Sequence, residues 1–316
     1  MITGIFAGIT WALETVILGI ALGMSPFVST VEAMLLAPFV ATFMHDAFSA
    51  IFMFIYNIAR GNAKKMLSVF HTKSFKWLCI ASAVGGPVGM TGYVMAVKYM
   101  GSSVGAVASA VYPAIGTLLA YVFLRERVKW YQWIFLGAAL VGVFGLSYSP
   151  TLNVESFWLG FLGALMCSIG WGVEAVILAK CFKDTTIKNE YALCVRQTVS
   201  ALIYGIIIIP VIGGFGLVAD IFTTDTGMLL PTVALAALCA TVSYLFYYKT
   251  IANIGASRAM ALNITYTAWA IIFSVAILRD VSVINPTTLV CSLVVVVCGI
   301  LAATDIKNLL NKKKTD

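Results

Sequence analysis

Charged side chains are scarce in this sequence. Only 10% of its 316 residues are Asp, Glu, Lys or Arg, while 61% are apolar, and an ordinary soluble domain carries about 25% charged residues. Apolar stretches of about 20 residues, the length that crosses a bilayer as a helix, recur along the whole chain with short connections between them. The scarcity of charge excludes a soluble domain and predicts an all-α integral membrane protein.

Signatures of catalysis and of nucleotide or metal binding are also missing. The sequence has two His residues, no G-x-x-x-x-G-K-[ST] phosphate loop and no H-E-x-x-H, so we expect no enzyme, no cofactor, no metal site and no ATP-driven transport by this chain alone. Its seven cysteines are odd in number and show no C-x-x-C spacing. They are interpreted as packing residues within the spans.

Ten membrane spans are predicted, at residues 2–23, 31–58, 75–97, 103–124, 131–148, 157–179, 190–212, 228–250, 258–278 and 286–305. Lys and Arg prefer cytoplasmic connections. With an internal N-terminus, the inside ends collect every basic residue except Lys98, Arg279 and the intramembrane Arg196. Topology therefore explains the net charge of +7 better than nucleic acid does, and both termini are expected to be cytoplasmic in an inner or plasma membrane.

The second half of the chain repeats the first. YVMAVKYMGSSVGAVASAVYPA aligns with YYKTIANIGASRAMALNITYTA, which matches Tyr93 with Tyr247 and Tyr112 with Tyr266. Five spans per half is an odd number, so the halves are expected to lie in opposite orientations, as in many secondary transporters with a site near the midplane. The predicted domains are a five-helix repeat at 1–150 and an inverted repeat with a short basic tail at 151–316.

Two glutamates fall in the middle of predicted spans. WALETVIL and WGVEAVIL place a Trp three residues before a Glu, as Trp11 with Glu14 and Trp171 with Glu174, so ring and carboxylate share one helix face. A carboxylate at this depth costs at least about 2.5 kcal/mol and usually faces the bundle interior. We expect both pairs to converge in one central pocket, where aromatic rings and negative charge suit an organic cation.

A second interpretation of these residues is structural, with interfacial tryptophans and glutamates paired to basic groups. It fits Trp130, Trp133 and Trp158, which lie near span ends like aromatic-belt anchors, better than Trp11 and Trp171. SYLFYYK places Tyr244 and Tyr247 on one helix face, where they either line the pocket or only pack. Tyr93, the counterpart of Tyr247, is a further candidate for substrate contact.

Polar pairs interrupt two other spans at corresponding places. These are His45 with Asp46 in the second span and Arg196 with Gln197 in the seventh. One interpretation is a proton relay or gate, because His titrates near neutral pH. The favoured one is that His45, Asp46 and Arg196 pair with each other and fix the register of the helices.

HDAFSAIF, GGPVGM, GWGVEAV, VRQTVS and SYLFYY together resemble the drug/metabolite transporter superfamily, EamA-like, and within it the bacterial choline-uptake transporters linked to phosphorylcholine decoration of the cell surface. The similarity covers most of the chain and implies a 5+5 helix fold. It implies a cation pocket at Trp11, Trp171, Glu174, Tyr244 and Tyr247. The acidic Glu14 is a departure that is similar to the small multidrug-resistance transporters, whose paired membrane glutamates serve cation and proton.

Three hypotheses on function follow. The leading one is a secondary transporter that imports choline or a similar quaternary-ammonium cation, driven by membrane potential or an ion gradient. The second is proton-coupled export of organic cations or amino-acid-like metabolites through Glu14 and Glu174. The third is an intramembrane enzyme or a receptor, and a pure sensor would bind ligand without flux. The expected partners are a small-molecule cation and the lipid bilayer, and the chain is expected to function as a monomer.

Overall fold

The structure, a computed structural model, describes residues 1–100, 110–147, 157–224, 227–279, 281 and 284–305. Within these ranges the chain folds into helices joined by short turns. In hydrocarbon each backbone N–H and C=O has to be bonded inside the protein, and a helix bonds them within one segment. The predicted all-helical membrane architecture is therefore confirmed, and the protein crosses the membrane several times.

Among its described residues, the first half contains seven α-helices: α1 (Ile2–Leu22), α2 (Val31–Ala59), α3 (Ala63–Ser68), α4 (Lys73–Ala83), α5 (Gly89–Met100), α6 (Tyr112–Phe123) and α7 (Trp130–Ser147). A π-helical turn, Val84–Val88, joins α4 to α5 into one long segment. The Thr30 side chain accepts a hydrogen bond from the Ala33 N–H and so caps α2.

The described part of the second half contains eight α-helices: α8 (Phe157–Cys181), α9 (Asn189–Ile203), α10 (Ile209–Val211), α11 (Phe215–Thr224), α12 (Leu229–Ile254), α13 (Ala256–Asn263), α14 (Tyr266–Phe273) and α15 (Pro286–Ala303). A π-helical turn at Tyr204–Ile208 joins α9 to α10, and another at Ser274–Leu278 follows α14.

Eight helical segments of the described chain are long and apolar enough to cross a membrane. They are 2–22, 31–59, 73–96, 158–181, 189–211, 229–254, 256–278 and 286–303, and each overlaps a predicted span. Tyr112–Phe123 and Trp130–Leu146 are shorter apolar helices. They fall within the other two predicted spans, of which 103–124 is only partly described because residues 101–109 lie outside the described ranges.

The end of α12 and the presence of α11 differ from the sequence prediction. Helix α12 continues to Ile254, past the predicted end at residue 250, because the exposed Lys249 can extend its charged end away from the hydrocarbon without ending the helix. Gly255 ends α12 with φ at +88°, a left-handed conformation that favours glycine. Helix α11 was not predicted, since its ten residues are too few to span a bilayer.

The long helices pack in corresponding pairs. Helix α1 lies against α12 and α14, while α8 lies against α5 and α6. Helices α7 and α15 pack together, as do α2 and α9. Small residues allow the close approach of α5 and α8, because a methyl group added at Gly92 or at Gly163 would overlap the backbone of the other helix. This packing carries the midpoints of α1 and α8 to the centre of the bundle.

Candidate functional site

The tryptophans of the two repeated motifs meet at the centre of the bundle. The indole rings of Trp11 on α1 and Trp171 on α8 pack edge to face, with their centroids 6.5 Å apart. This is an arrangement that the aromatic quadrupoles favour. By contrast, Trp130 and Trp158 are exposed at the periphery, at 73% and 76%, as expected of residues that face lipid or the interface.

Further tyrosines surround this indole pair. The Tyr244 ring lies 5.0 Å from Trp11, and the rings of Tyr93 and Tyr112 lie 5.7 Å and 5.4 Å from Trp171. The Tyr93 ring is stacked on its indole, whereas the other two meet theirs edge to face. Aromatic residues of both halves therefore lie together at the centre of the bundle.

The orientation of Trp171 depends on the glycines of the turn between α4 and α5. Its indole N–H donates a hydrogen bond to the carbonyl oxygen of Gly85 at 3.1 Å. A methyl group added at Gly85 would overlap the Glu174 carboxylate, and one added at Gly89 would press on the Trp171 ring. The absence of a side chain at Gly85 and at Gly89 therefore lets both Glu174 and Trp171 face the centre.

Glu174 is buried and already has strong partners. Its Oε1 accepts hydrogen bonds from Arg196 Nε at 3.2 Å and from the Tyr248 hydroxyl at 2.9 Å. Arg196 is 1% exposed and also reaches Asp46, with its NH1 3.4 Å from Oδ2. A buried guanidinium of this kind requires carboxylate partners, since removing a charge from water is costly.

A polar network fixes Arg196 on its other sides. Its NH2 donates to the Tyr244 hydroxyl at 3.1 Å, and its NH1 donates to the Gln197 side-chain oxygen at 2.5 Å. Ser200 donates to Asp46 at 2.5 Å. The interpretation of His45, Asp46 and Arg196 as residues that pair and hold helix register agrees with these contacts, which join α2, α9 and α12.

Glu14 is as buried as Glu174 but has weaker partners. It is 4% exposed, accepts a hydrogen bond from Thr15 at 3.3 Å, and lies 3.7 Å from His45 Nε2. The other ring nitrogen of His45, Nδ1, lies 3.0 Å from Asp46 and has to donate, because an ionised carboxylate only accepts. Nε2 has no hydrogen-bond partner.

The two glutamates line different cavities. The first, which we name the Glu174 cage, measures about 30 Å³ and is lined by Trp11, Tyr112, Trp171, Glu174, Ser243, Tyr244, Tyr247, Asn263 and Tyr266. The second, the Glu14 chamber, measures about 280 Å³ and is lined by Trp11, Glu14, Thr15, Leu18, Gly19, Leu22, Met90, Tyr93, Trp171 and Tyr266. The expectation of one shared pocket is therefore corrected to two cavities, with Trp11, Trp171 and Tyr266 between them.

Several lining residues were missed as site candidates at the sequence level. Tyr266 is the repeat counterpart of Tyr112, and that match was the signal that could have found Tyr266. Asn263 donates to the Tyr112 hydroxyl at 2.9 Å, which no sequence pattern indicates. Tyr248 lies on another part of the α12 surface from Tyr247 and reaches Glu174 from beside the cage.

The described part of the chain contains neither a metal-ligand cluster nor a disulfide bond. It contains no group of three or more His, Cys, Asp or Glu residues placed to hold a metal ion. All seven cysteines are free thiols. The charged cluster at the centre is thus built from Arg, His and carboxylates alone.

Comparison with known proteins shows a likeness over the first part of the chain. Residues 1–148 match the EamA-like transporter family. The match favours a transporter over an enzyme, and it agrees with the superfamily that the motifs resemble.

Two further comparisons extend over more of the chain. Protein LicB of Haemophilus influenzae is 27% identical over 194 residues, which cover 61% of this chain and 63% of LicB. The match therefore spans less than two thirds of that curated relative. A solved crystal structure with 16% sequence identity covers 96% of both chains with a TM-score of 0.71, and at this identity it shows a shared fold alone.

Proposed function

We propose that this protein is a secondary membrane transporter that imports choline or a similar quaternary-ammonium cation. The observation that carries the proposal is the Glu174 cage, in which six aromatic side chains from five helices surround a buried carboxylate. Each aromatic face attracts a quaternary ammonium by about 0.5–2 kcal/mol once water is excluded. The resemblance of GWGVEAV and SYLFYY to choline-uptake transporters supports the same substrate class.

The charge balance around the cage favours a cation. Three carboxylates are buried there, on Glu14, Asp46 and Glu174, and one guanidinium, on Arg196, pairs with two of them. One negative charge remains in excess even when His45 is protonated. A monocation neutralises this charge, whereas a ligand that carries its own carboxylate adds to the repulsion.

The small volume of the cage has a mechanistic consequence. A cavity of about 30 Å³ is roughly a tenth of the smallest common ligand pockets, about 300 Å³. Substrate binding therefore requires the rings of Trp11, Tyr244 and Tyr247 to separate. We propose that this separation accompanies movement of two inverted five-helix halves, 1–150 and 151–316, around the central site.

The packing of the helices supports the inverted halves. A two-fold exchange of the halves converts the contact of α1 with α12 into that of α8 with α5, and the contact of α1 with α14 into that of α8 with α6. The same exchange swaps α7 with α15 and α2 with α9, so the α7–α15 and α2–α9 contacts stay the same. In this proposal both termini are cytoplasmic, and one chain is sufficient for transport.

A ligand panel tests the substrate class. We expect choline and acetylcholine to raise the unfolding midpoint of the purified protein, choline by more, whereas carnitine, which carries a carboxylate as betaine does, should not raise it. Betaine should give none, because its carboxylate is repelled by the uncompensated negative charge. Stabilisation by betaine equal to that by choline would contradict the proposed cation cage.

One observation favours the second candidate, proton-coupled export. His45 Nε2 and Glu14 Oε1 face each other at 3.7 Å, and both are acceptors unless a proton lies on one of them. The other titratable side chains that act on Glu14 or feel its charge are Asp46, Tyr93, Cys239, Tyr244 and Tyr266. A proton held at Glu14 would provide a means of exchange for a cation.

Transport into proteoliposomes separates the two candidates. Import of a monocation is favoured by about 2.3 kcal/mol per 100 mV of potential, so we expect an inside-negative potential to drive choline uptake without a pH gradient. The flux that remains in Glu14→Gln should then still follow the potential and not the pH gradient. If flux instead follows the pH gradient and is lost in Glu14→Gln, the protein is a proton-coupled transporter.

A further inference from the structure

The repeat places the two glutamates on opposite sides of the tryptophan pair. In both motifs the Glu follows the Trp by three residues, which is about 4.5 Å along a helix axis. In the proposed inverted arrangement α1 and α8 run in opposite directions. Glu14 therefore lies nearer the outside than Trp11, and Glu174 lies nearer the inside than Trp171. The two separate cavities agree with this geometry.

The Glu14 chamber has the volume that the cage lacks. It measures about 280 Å³, which approaches the lower end of the range for small-molecule pockets. Four aromatic rings line it, namely Trp11, Tyr93, Trp171 and Tyr266. Its remaining lining, apart from Glu14 and Thr15, is apolar and extends to Leu22 at the end of α1.

The partners of Glu14 leave its charge available to a ligand. None of the side chains that line the chamber is basic, whereas Glu174 is paired with Arg196 at 3.2 Å. The nearest basic group is His45, whose buried Nε2 lies 3.7 Å from Glu14 without a hydrogen bond. A hydrocarbon chain in the chamber would leave this carboxylate facing only apolar groups, which is costly.

We propose that the Glu14 chamber is a second binding site for a small organic ammonium ion, separate from the Glu174 cage. This inference rests on the proposed function, because it assigns a second binding site to the same substrate class. The ammonium group contacts the aromatic faces of Trp11, Tyr93 and Trp171, and Glu14 supplies the counter-charge. A cation bound here lies on the outer side of Trp11, Trp171 and Tyr266, which separate the chamber from the cage. It reaches the cage when the rings separate.

Two variants test the chamber without touching Glu174. Glu14→Gln removes the charge at nearly constant shape. Gly19→Phe fills the space, since an added Cβ at Gly19 meets no atom within 4 Å. The matched control is Gly137→Phe on α7, where an added Cβ also meets no atom within 4 Å and which lines neither cavity.

The measurement is equilibrium dialysis of radiolabelled choline against the purified, full-length protein in detergent, with the unfolding midpoint of each variant recorded. We expect two choline molecules per chain in the wild type and in Gly137→Phe, and one in Glu14→Gln and in Gly19→Phe.

Other outcomes overturn the inference in distinguishable ways. One choline per chain in the wild type, with unchanged affinity in Gly19→Phe, removes the second site and leaves the proposed function standing. The same stoichiometry with only the pH dependence altered in Glu14→Gln assigns Glu14 to a proton instead. No binding to any variant, including the wild type, removes the proposed function itself.

Discussion

Choline affinity should fall at least about 100-fold in the double variant Trp171→Ala with Glu174→Gln. The first change removes the ring that touches Trp11, Tyr93 and Tyr112, and it removes a cation–π contact of about 2 kcal/mol in a desolvated site. The second removes the carboxylate that lines the cage. Together they remove at least about 2.8 kcal/mol, and each 1.4 kcal/mol corresponds to a tenfold change in affinity.

Isothermal titration of choline into the purified protein measures this effect. The matched control is Trp158→Ala with Glu32→Gln, which replaces an exposed Trp and an exposed Glu away from both cavities. Its affinity should equal that of the wild type. Wild-type affinity in the cage variant, at an unfolding midpoint that shows it to be folded, would remove the cage from the binding of choline.

The largest loss of stability is expected from Arg196→Gln. Arg196 is the guanidinium between Glu174 and Asp46, at 3.2 Å and 3.4 Å, and it also holds the hydroxyl of Tyr244. Removing one partner of a buried ion pair costs about 3–5 kcal/mol, because the remaining charges stay buried without compensation. Two carboxylates lose their partner at once in this variant.

Thermal unfolding in detergent checks this prediction. Arg258→Gln is the matched control, since that side chain is 31% exposed and lies 4.0 Å from Asp305, and surface pairs contribute about 0–1 kcal/mol. Adding Asp46→Asn to Arg196→Gln should restore part of the stability, because one unpaired charge is then removed. An unfolding midpoint for Arg196→Gln equal to that of the control would show that Arg196 does not hold the centre together.

The interaction of Arg196 with the cage also bears on how substrate binds. Its guanidinium carbon lies 4.7 Å from the centroid of the Tyr244 ring, so the protein places a cation of its own against one wall of the cage. The Glu174 carboxylate is therefore already paired with a cation of the protein itself. In the proposed function, a substrate cation adds to a site in which Arg196 is held by both Glu174 and Asp46, and the excess carboxylate provides the attraction.

Many residues of the candidate site could be identified from the local sequence. The Trp-x-x-Glu repeats, the tyrosines of SYLFYYK and the polar pairs around His45 and Arg196 stand out because a membrane span tolerates few such residues. The internal repeat related Tyr112 to Tyr266. Applied to the motifs themselves, the proposed inversion also separates Glu14 from Glu174, which the expectation of one shared pocket overlooked.

The sequence by itself determined the membrane class, most of the helical segments and the identity of the aromatic and acidic residues that meet. These follow from hydropathy over about 20 residues and from periodicity within one helix, which are local properties. Only the tertiary structure decided that Arg196 pairs with Glu174, that His45 Nε2 faces Glu14, and that two cavities of unequal volume flank the tryptophans. Such contacts depend on which faces of distant helices meet, on glycines such as Gly92 that let the backbones approach, and on Gly85, which leaves room for the Glu174 side chain.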